Sequence, residues 1–282
     1  MRQRLPAAPG SDQPPALPRT LELDAYAPAQ IAERVERAGV AKARLPVLET
    51  LMLGLLAGAF IAFGGMYFIF VTTDPGLGFG PSRMLGGIAF SLGLMLVVIA
   101  GAELFTGNTL IVMAWVDGRV STRELARNWA LVFVANLVGA VGAAALLTLA
   151  DGLVLGDGRP LETAAAIARA KVALPWDTAF FRGILCNALV CLAVWLSFAA
   201  RDVTGKILAI LLPISAFVAL GFEHSIANMF FVPLAMMHGV PGVTLVGFAS
   251  NLVPVTLGNI VGGAVGVGLV YRVCYGRATP GR

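Results

Sequence analysis

Gly221-Phe222-Glu223-His224-Ser225-Ile226-Ala227-Asn228 lies inside an apolar run, 207–237, that is too long for one simple membrane crossing and carries charge-capable side chains near its middle. A second overlong run, 84–116, holds Gly101-Ala102-Glu103-Leu104-Phe105-Thr106-Gly107-Asn108, and both stretches read G-x-E-x-x-x-x-N at an offset of 120 residues. A helix needs about 20 apolar residues to cross the hydrocarbon layer, so each run has length for a crossing that breaks and resumes. Backbone freed by a break at membrane depth is tolerated only where it is buried in protein or lines a cavity. The two stretches therefore predict an all-α polytopic membrane protein whose second and fifth helices are broken around something polar.

Composition agrees. The chain has 282 residues, 58% hydrophobic and 13% charged, against roughly 25% charged in soluble domains, and its mean hydropathy is +0.84. Thirty-three glycines among so many aliphatics suit closely packed transmembrane helices. Uncharged stretches place six spans at about 50–73, 84–116 (broken), 128–150, 183–200, 207–237 (broken) and 250–271. The net charge of +4 comes from basic residues in short connections, so it reads as a topology signal and not as a nucleic-acid surface. Arg34, Arg37, Lys42 and Arg44 precede the first span, Arg119, Arg123 and Arg127 follow the second, and Arg201 and Lys206 follow the fourth. That side is cytoplasmic by the positive-inside rule, which predicts both termini inside. Residues 1–26 read as a disordered tail, 27–275 as the membrane domain and 276–282 as a second tail. Within the domain, 27–43 carries Ile31, Val35 and Val40 at helical spacing among charges, predicting an amphipathic helix on the membrane surface or against a neighbouring subunit. Cys186, Cys191 and Cys274 lack the spacing of a metal site or disulfide framework, and no cofactor is expected.

The octets belong to a longer repeat. Asn128 and Asn136-Leu-Val-Gly139 answer Asn251 and Asn259-Ile-Val-Gly262, and Gly54-Leu-Leu answers Gly183-Ile-Leu. Three spans per half is an odd number, so the halves are expected in opposite orientations, as two inverted three-helix repeats. Gly101 and Gly221 permit an unusual backbone angle at each break. Glu103 and Glu223 can accept hydrogen bonds from freed amides, and Asn108 and Asn228 can bridge backbone groups across the gap; these six residues read first as scaffold. The halves differ after the Glu, where one has Leu104-Phe105-Thr106 and the other His224-Ser225-Ile226. An ionisable side chain beside a broken helix at membrane depth points to function, which singles out His224. Thr106 is expected either to face it or to cap the second half-helix.

At these residues the sequence resembles the formate/nitrite transporter family, most closely its formate-channel branch. The matching strings are Gly101 to Thr106, Gly183-Ile-Leu-Cys-Asn187, Gly221-Phe-Glu-His-Ser-Ile-Ala-Asn-Met-Phe230 and Asn251 to Gly263. The resemblance implies an aquaporin-like six-helix protomer, a homopentamer and one solute pore per protomer. It also implies a central histidine at His224, a loop threonine at Thr106, pore-lining asparagines at Asn187 and Asn259, and an outer-vestibule lysine at Lys171. Apolar constrictions would be Leu104 with Phe217 on one side and Phe90 with Leu94 on the other.

Magnitudes then favour one mechanism. Moving a carboxylate-sized ion into low dielectric costs of order 20 kcal/mol in the Born limit and several after relaxation. Protonating a carboxylate of pKa about 4 at neutral pH costs roughly 4 kcal/mol. The expected cargo is the anion of a small weak acid, formate first and nitrite or hydrosulfide as alternatives, crossing as the neutral acid. Lys171 would attract the anion and a proton would come from His224 or from water relayed there. An aquaporin-type channel would carry Asn-Pro-Ala, a nucleotide-driven pump G-x-x-x-x-G-K-[ST], and neither string occurs. A non-transporting scaffold would have little use for paired charges at two symmetric breaks. An enzyme is not expected, since no nucleophile with an obvious base is present.

Overall fold

In the computed structural model, residues 24–74 and 76–276 are described, so the tails expected at 1–26 and 276–282 lie largely outside them. The described residues form no strand, a short 3-10 turn at Gly156–Gly158 and ten helices of more than ten residues. They are α1 (Pro28–Ala43), α2 (Val47–Thr72), α3 (Phe79–Gly101), α4 (Phe105–Val116), α5 (Thr122–Leu149), α6 (Arg159–Val172), α7 (Trp176–Ala199), α8 (Val203–Ala219), α9 (Ser225–Met237) and α10 (Leu245–Tyr275). Five of these, α2, α3, α5, α7 and α10, are long and apolar enough to cross a membrane, and α4, α8 and α9 are shorter apolar helices.

Local chemistry explains the ends. Pro46 and Pro175 stand at the N-caps of α2 and α7. Ser121 and Glu124 cap α5 reciprocally, Asp202 accepts from the Gly205 amide at the start of α8, and Thr244 accepts from the Gly247 amide at the start of α10. Several helices begin before the predicted spans, because the reading by uncharged runs stops at Arg83, Arg127, Arg182 and Lys206, whereas the helices carry these side chains within their first two turns.

Both overlong runs are interrupted. Gly101 (φ +83°) ends α3 and Gly221 (φ +73°) follows α8, each in the left-handed region that favours glycine. The chain then runs extended through Leu104 and His224 before α4 and α9 begin. Glycine also sets how closely the long helices pass. A Cβ at Gly139 would overlap the Leu55 carbonyl, and one at Gly262 would overlap the Ile184 carbonyl, so α5 touches α2, and α10 touches α7, backbone to backbone.

The apolar face of α1 is covered within the protomer: Ile31, Ala32 and Val35 are buried in a cluster with Leu110 and Met113 of α4, Cys191 and Trp195 of α7 and Val267 of α10. Its approach is fixed at the N-terminal end. Tyr26, inside the stretch read as tail, donates its amide to the Ala199 carbonyl (3.0 Å) and lies between the guanidiniums of Arg34 and Arg201, each 4.0 Å from the ring centre.

Candidate functional site

The two breaks are held by the same hydrogen bonds, residue for residue. Asn136 of α5 donates to the carbonyls of Gly54 (2.7 Å) and Glu103 (2.9 Å) and accepts from the Phe105 amide (2.9 Å). Asn259 of α10 donates to the carbonyls of Gly183 (2.8 Å) and Glu223 (3.0 Å) and accepts from the Ser225 amide (2.9 Å). Groups freed by the break are thus satisfied by one buried asparagine on each side, as buried backbone requires. The sequence alone assigns this work to other residues, and the structure corrects that expectation. Glu103 and Glu223 accept from side chains instead of freed amides, and Asn108 and Asn228 bridge side chains instead of backbone. Asn108 donates to Glu103 (2.7 Å) and Asn128 (3.0 Å), and Asn228 donates to Glu223 (2.7 Å) and Asn251 (2.7 Å).

Each carboxylate also meets a lysine. Lys171 at the end of α6 donates to both oxygens of Glu223 at 3.0 and 3.1 Å, and Lys42 at the end of α1 donates to Glu103 at 2.6 Å. The carbonyls of these lysines accept from Asn251 and Asn128. Position in the sequence marks Lys42 only as a topology charge. The sequence does carry a signal for it: Lys42-Ala-Arg-Leu-Pro46 and Lys171-Val-Ala-Leu-Pro175 are a repeated K-x-x-L-P before α2 and α7. The copies sit at a different offset from the 120 residues relating Glu103 to Glu223, so aligning the two octets does not bring them together.

Two cavities flank the breaks and share no lining residue. One, of about 340 Å³, is lined by Lys171, Glu223, His224, Phe90, Phe217 and Arg83 among others. The other, of about 390 Å³, is lined by Lys42, Glu103, Leu104, Leu94, Asn108 and Lys206 among others. Phe90 and Phe217 meet edge to face at 5.7 Å, and the Phe217 ring lies 5.9 Å from the His224 imidazole. The four apolar residues therefore divide as Phe90 with Phe217 and Leu94 with Leu104, not in the expected pairing, because α3 passes both cavities and presents Phe90 to one and Leu94 to the other.

At the junction His224 Nε2 and Thr106 Oγ1 are 2.9 Å apart. Thr106 does not cap α4, since Leu104 holds that position. His224 itself caps α9: its Nδ1 accepts from the Ala227 amide at 3.1 Å, so the proton of the neutral ring is on Nε2 and points to the threonine oxygen. Asn187 and Asn259 line neither cavity. Asn187 stands behind the junction, donating to the carbonyls of Thr106 (3.2 Å) and Asn259 (2.6 Å), and so ties one half-helix to the support of the other.

Comparison with known proteins agrees with this architecture. The family model described as formate/nitrite transporter matches residues 29–273. The probable formate transporter of Methanothermobacter thermautotrophicus is 45% identical over 266 residues, covering 88% of this chain and 96% of that one. Formate channel FocA of Escherichia coli (strain K12) is 40% identical over 271 residues, covering 89% and 95%. A solved pentameric formate channel with formate bound superposes with a TM-score of 0.76 at 40% identity, covering 82% of this chain and 98% of that one.

Proposed function

Because the chain belongs to the formate/nitrite transporter family and is a membrane protein of that kind, we propose that it is a homopentameric formate channel with one pore in each protomer. The proposed setting is the inner membrane of a bacterium, with six crossings, halves of opposite orientation and both termini in the cytoplasm. On that reading the Lys171 cavity opens outward and the Lys42 cavity inward. The observation that carries the proposal is the Thr106–His224 contact of 2.9 Å between two cavities that each hold a lysine–glutamate pair.

An anion entering from outside passes Lys171. It then faces the Phe90 and Phe217 rings, and beyond the junction Leu94 and Leu104, where low dielectric disfavours the charged form by several kcal/mol. Protonation at roughly 4 kcal/mol is the lower barrier. With Nδ1 engaged by the Ala227 amide, the neutral His224 has no second proton to give. The proton comes from water at the cavity, with Thr106 and His224 orienting the acid, or from a His224 that has released the Ala227 amide and charged at Nδ1. Asn187, Asn259, Gly101, Gly221 and the carboxylate–asparagine pairs keep the breaks open and leave the transfer to these two side chains.

The test is flux of formate and of nitrite into proteoliposomes, at pH values on either side of the reference histidine pKa of about 6.5, for the wild type and His224→Ala. Formate flux that falls about tenfold in the variant and loses its pH dependence is expected, a change of about 1.4 kcal/mol in the barrier. Unchanged formate flux in an assembled variant contradicts the role of His224, and nitrite flux exceeding formate flux moves the substrate to nitrite.

A further inference from the structure

The Lys171 cavity holds more positive charge than its ion pair uses. Arg83, Lys171 and Arg182 face a single carboxylate, Glu223, among its lining residues. Glu223 is taken by Lys171 and Asn228, and neither arginine has a carboxylate partner among the described residues. Both lean on one turn: Arg83 donates to the carbonyls of Val218 (2.7 Å) and Ala219 (3.0 Å), and Arg182 reaches that of Gly221 at 3.5 Å. Both guanidiniums reach the same cavity. Closing the C-terminal end of α8 accounts for only some of their donors, since a guanidinium carries five, and one arginine would serve that purpose. Two like charges on one turn, with donors to spare beside an open cavity, are what an anion between them would stabilise. Arg182 is exposed and Arg83 half-buried, whereas the Lys171 side chain is only 13% exposed, so the arginines stand at the rim and the lysine deeper.

We propose that Arg83 and Arg182 form a docking site for a planar two-oxygen anion at the mouth of this cavity, ahead of Lys171; the site deepens the transport reading above and rests on it. The guanidinium fork matches two coplanar oxygens bidentately. The site therefore favours formate and nitrite and gives no such advantage to hydrosulfide, which offers one sulfur. Docking holds the anion where it is still hydrated and raises its occupancy beside Lys171, so it acts on half-saturation and not on limiting flux.

The experiment measures equilibrium binding of ¹³C-formate to the purified full-length protein by NMR line broadening, and formate and hydrosulfide flux in proteoliposomes, for wild type, Arg182→Gln and Arg182→Lys. Arg182 is exposed, so both variants are expected to fold. Arg182→Gln is expected to weaken formate binding and raise the half-saturation of flux about threefold to fivefold, the range of a solvent-accessible charge contact, with limiting formate flux unchanged and hydrosulfide half-saturation raised by less. Arg182→Lys keeps the charge and loses the fork, and is expected to lose part of the preference for formate over hydrosulfide. Formate binding and half-saturation equal to wild type in Arg182→Gln overturn the site while the transport reading stands. Arginine-dependent binding in a protein that carries no formate upholds the site and overturns the transport reading, and formate that neither binds nor crosses overturns both.

Discussion

His224 is engaged at both ring nitrogens, by the Ala227 amide on one side and the Thr106 hydroxyl on the other. Its importance was legible in the sequence as the place where two otherwise matching octets diverge. The partner of each lysine was not, because Lys42 and Lys171 lie far from Glu103 and Glu223 along the chain. Their burial separates the two pairs: the side chain of Lys171 is 13% exposed and that of Lys42 is 32%, against 6% for both glutamates. Removing one partner of a buried pair leaves an uncompensated charge and costs about 3–5 kcal/mol, while exposed pairs are worth about 1 kcal/mol or less. Lys171→Met is therefore expected to lower the Tm of the purified protein by more than Lys42→Met does, and Glu223→Gln added to Lys171→Met is expected to restore much of the loss. Equal shifts in the two single variants would show that the pairs are alike in solvation.

At the scale of the helix, the breaks and the close approaches are one design. Broken helices were readable because 84–116 and 207–237 exceed a single crossing and carry Glu at their middle. Their exact ends were not, since charge at a membrane edge does not stop a helix. Nor was the seat of α1: helical spacing of Ile31 and Val35 fixes an apolar face but not what covers it. Gly139→Ala and Gly262→Ala place a methyl against the carbonyls of Leu55 and Ile184, backbone that cannot step aside as a side chain would. Each is expected to lose about 1–3 kcal/mol, the usual range for overpacking, and to reduce the yield of assembled protein seen by size-exclusion chromatography. Wild-type yield and Tm in both would show that the helices can separate without loss.

Over the whole molecule the duplication reaches further than the octets. It includes α1 with α6, both lysines, and the asparagine pairs Asn128 with Asn251 and Asn136 with Asn259. Asn136→Leu and Asn259→Leu each orphan backbone groups of a break, at about 1–3 kcal/mol per buried group left unpaired, and are expected to impair folding to a similar degree. Substitution at Asn259 alone also disturbs the carbonyl that receives Asn187 beside the junction. What the sequence could not convey is how the two halves part company: one end of the junction supplies an imidazole and the other a threonine, and the two cavities carry unequal charge. The proposed function has the cargo cross the junction as a neutral acid. Its most direct test records formate uptake and internal pH together in proteoliposomes while the membrane potential is stepped. One proton is expected to enter with each formate, with a rate independent of potential. Uptake that follows the potential and leaves internal pH unchanged would mean that the anion itself crosses, and would contradict the account.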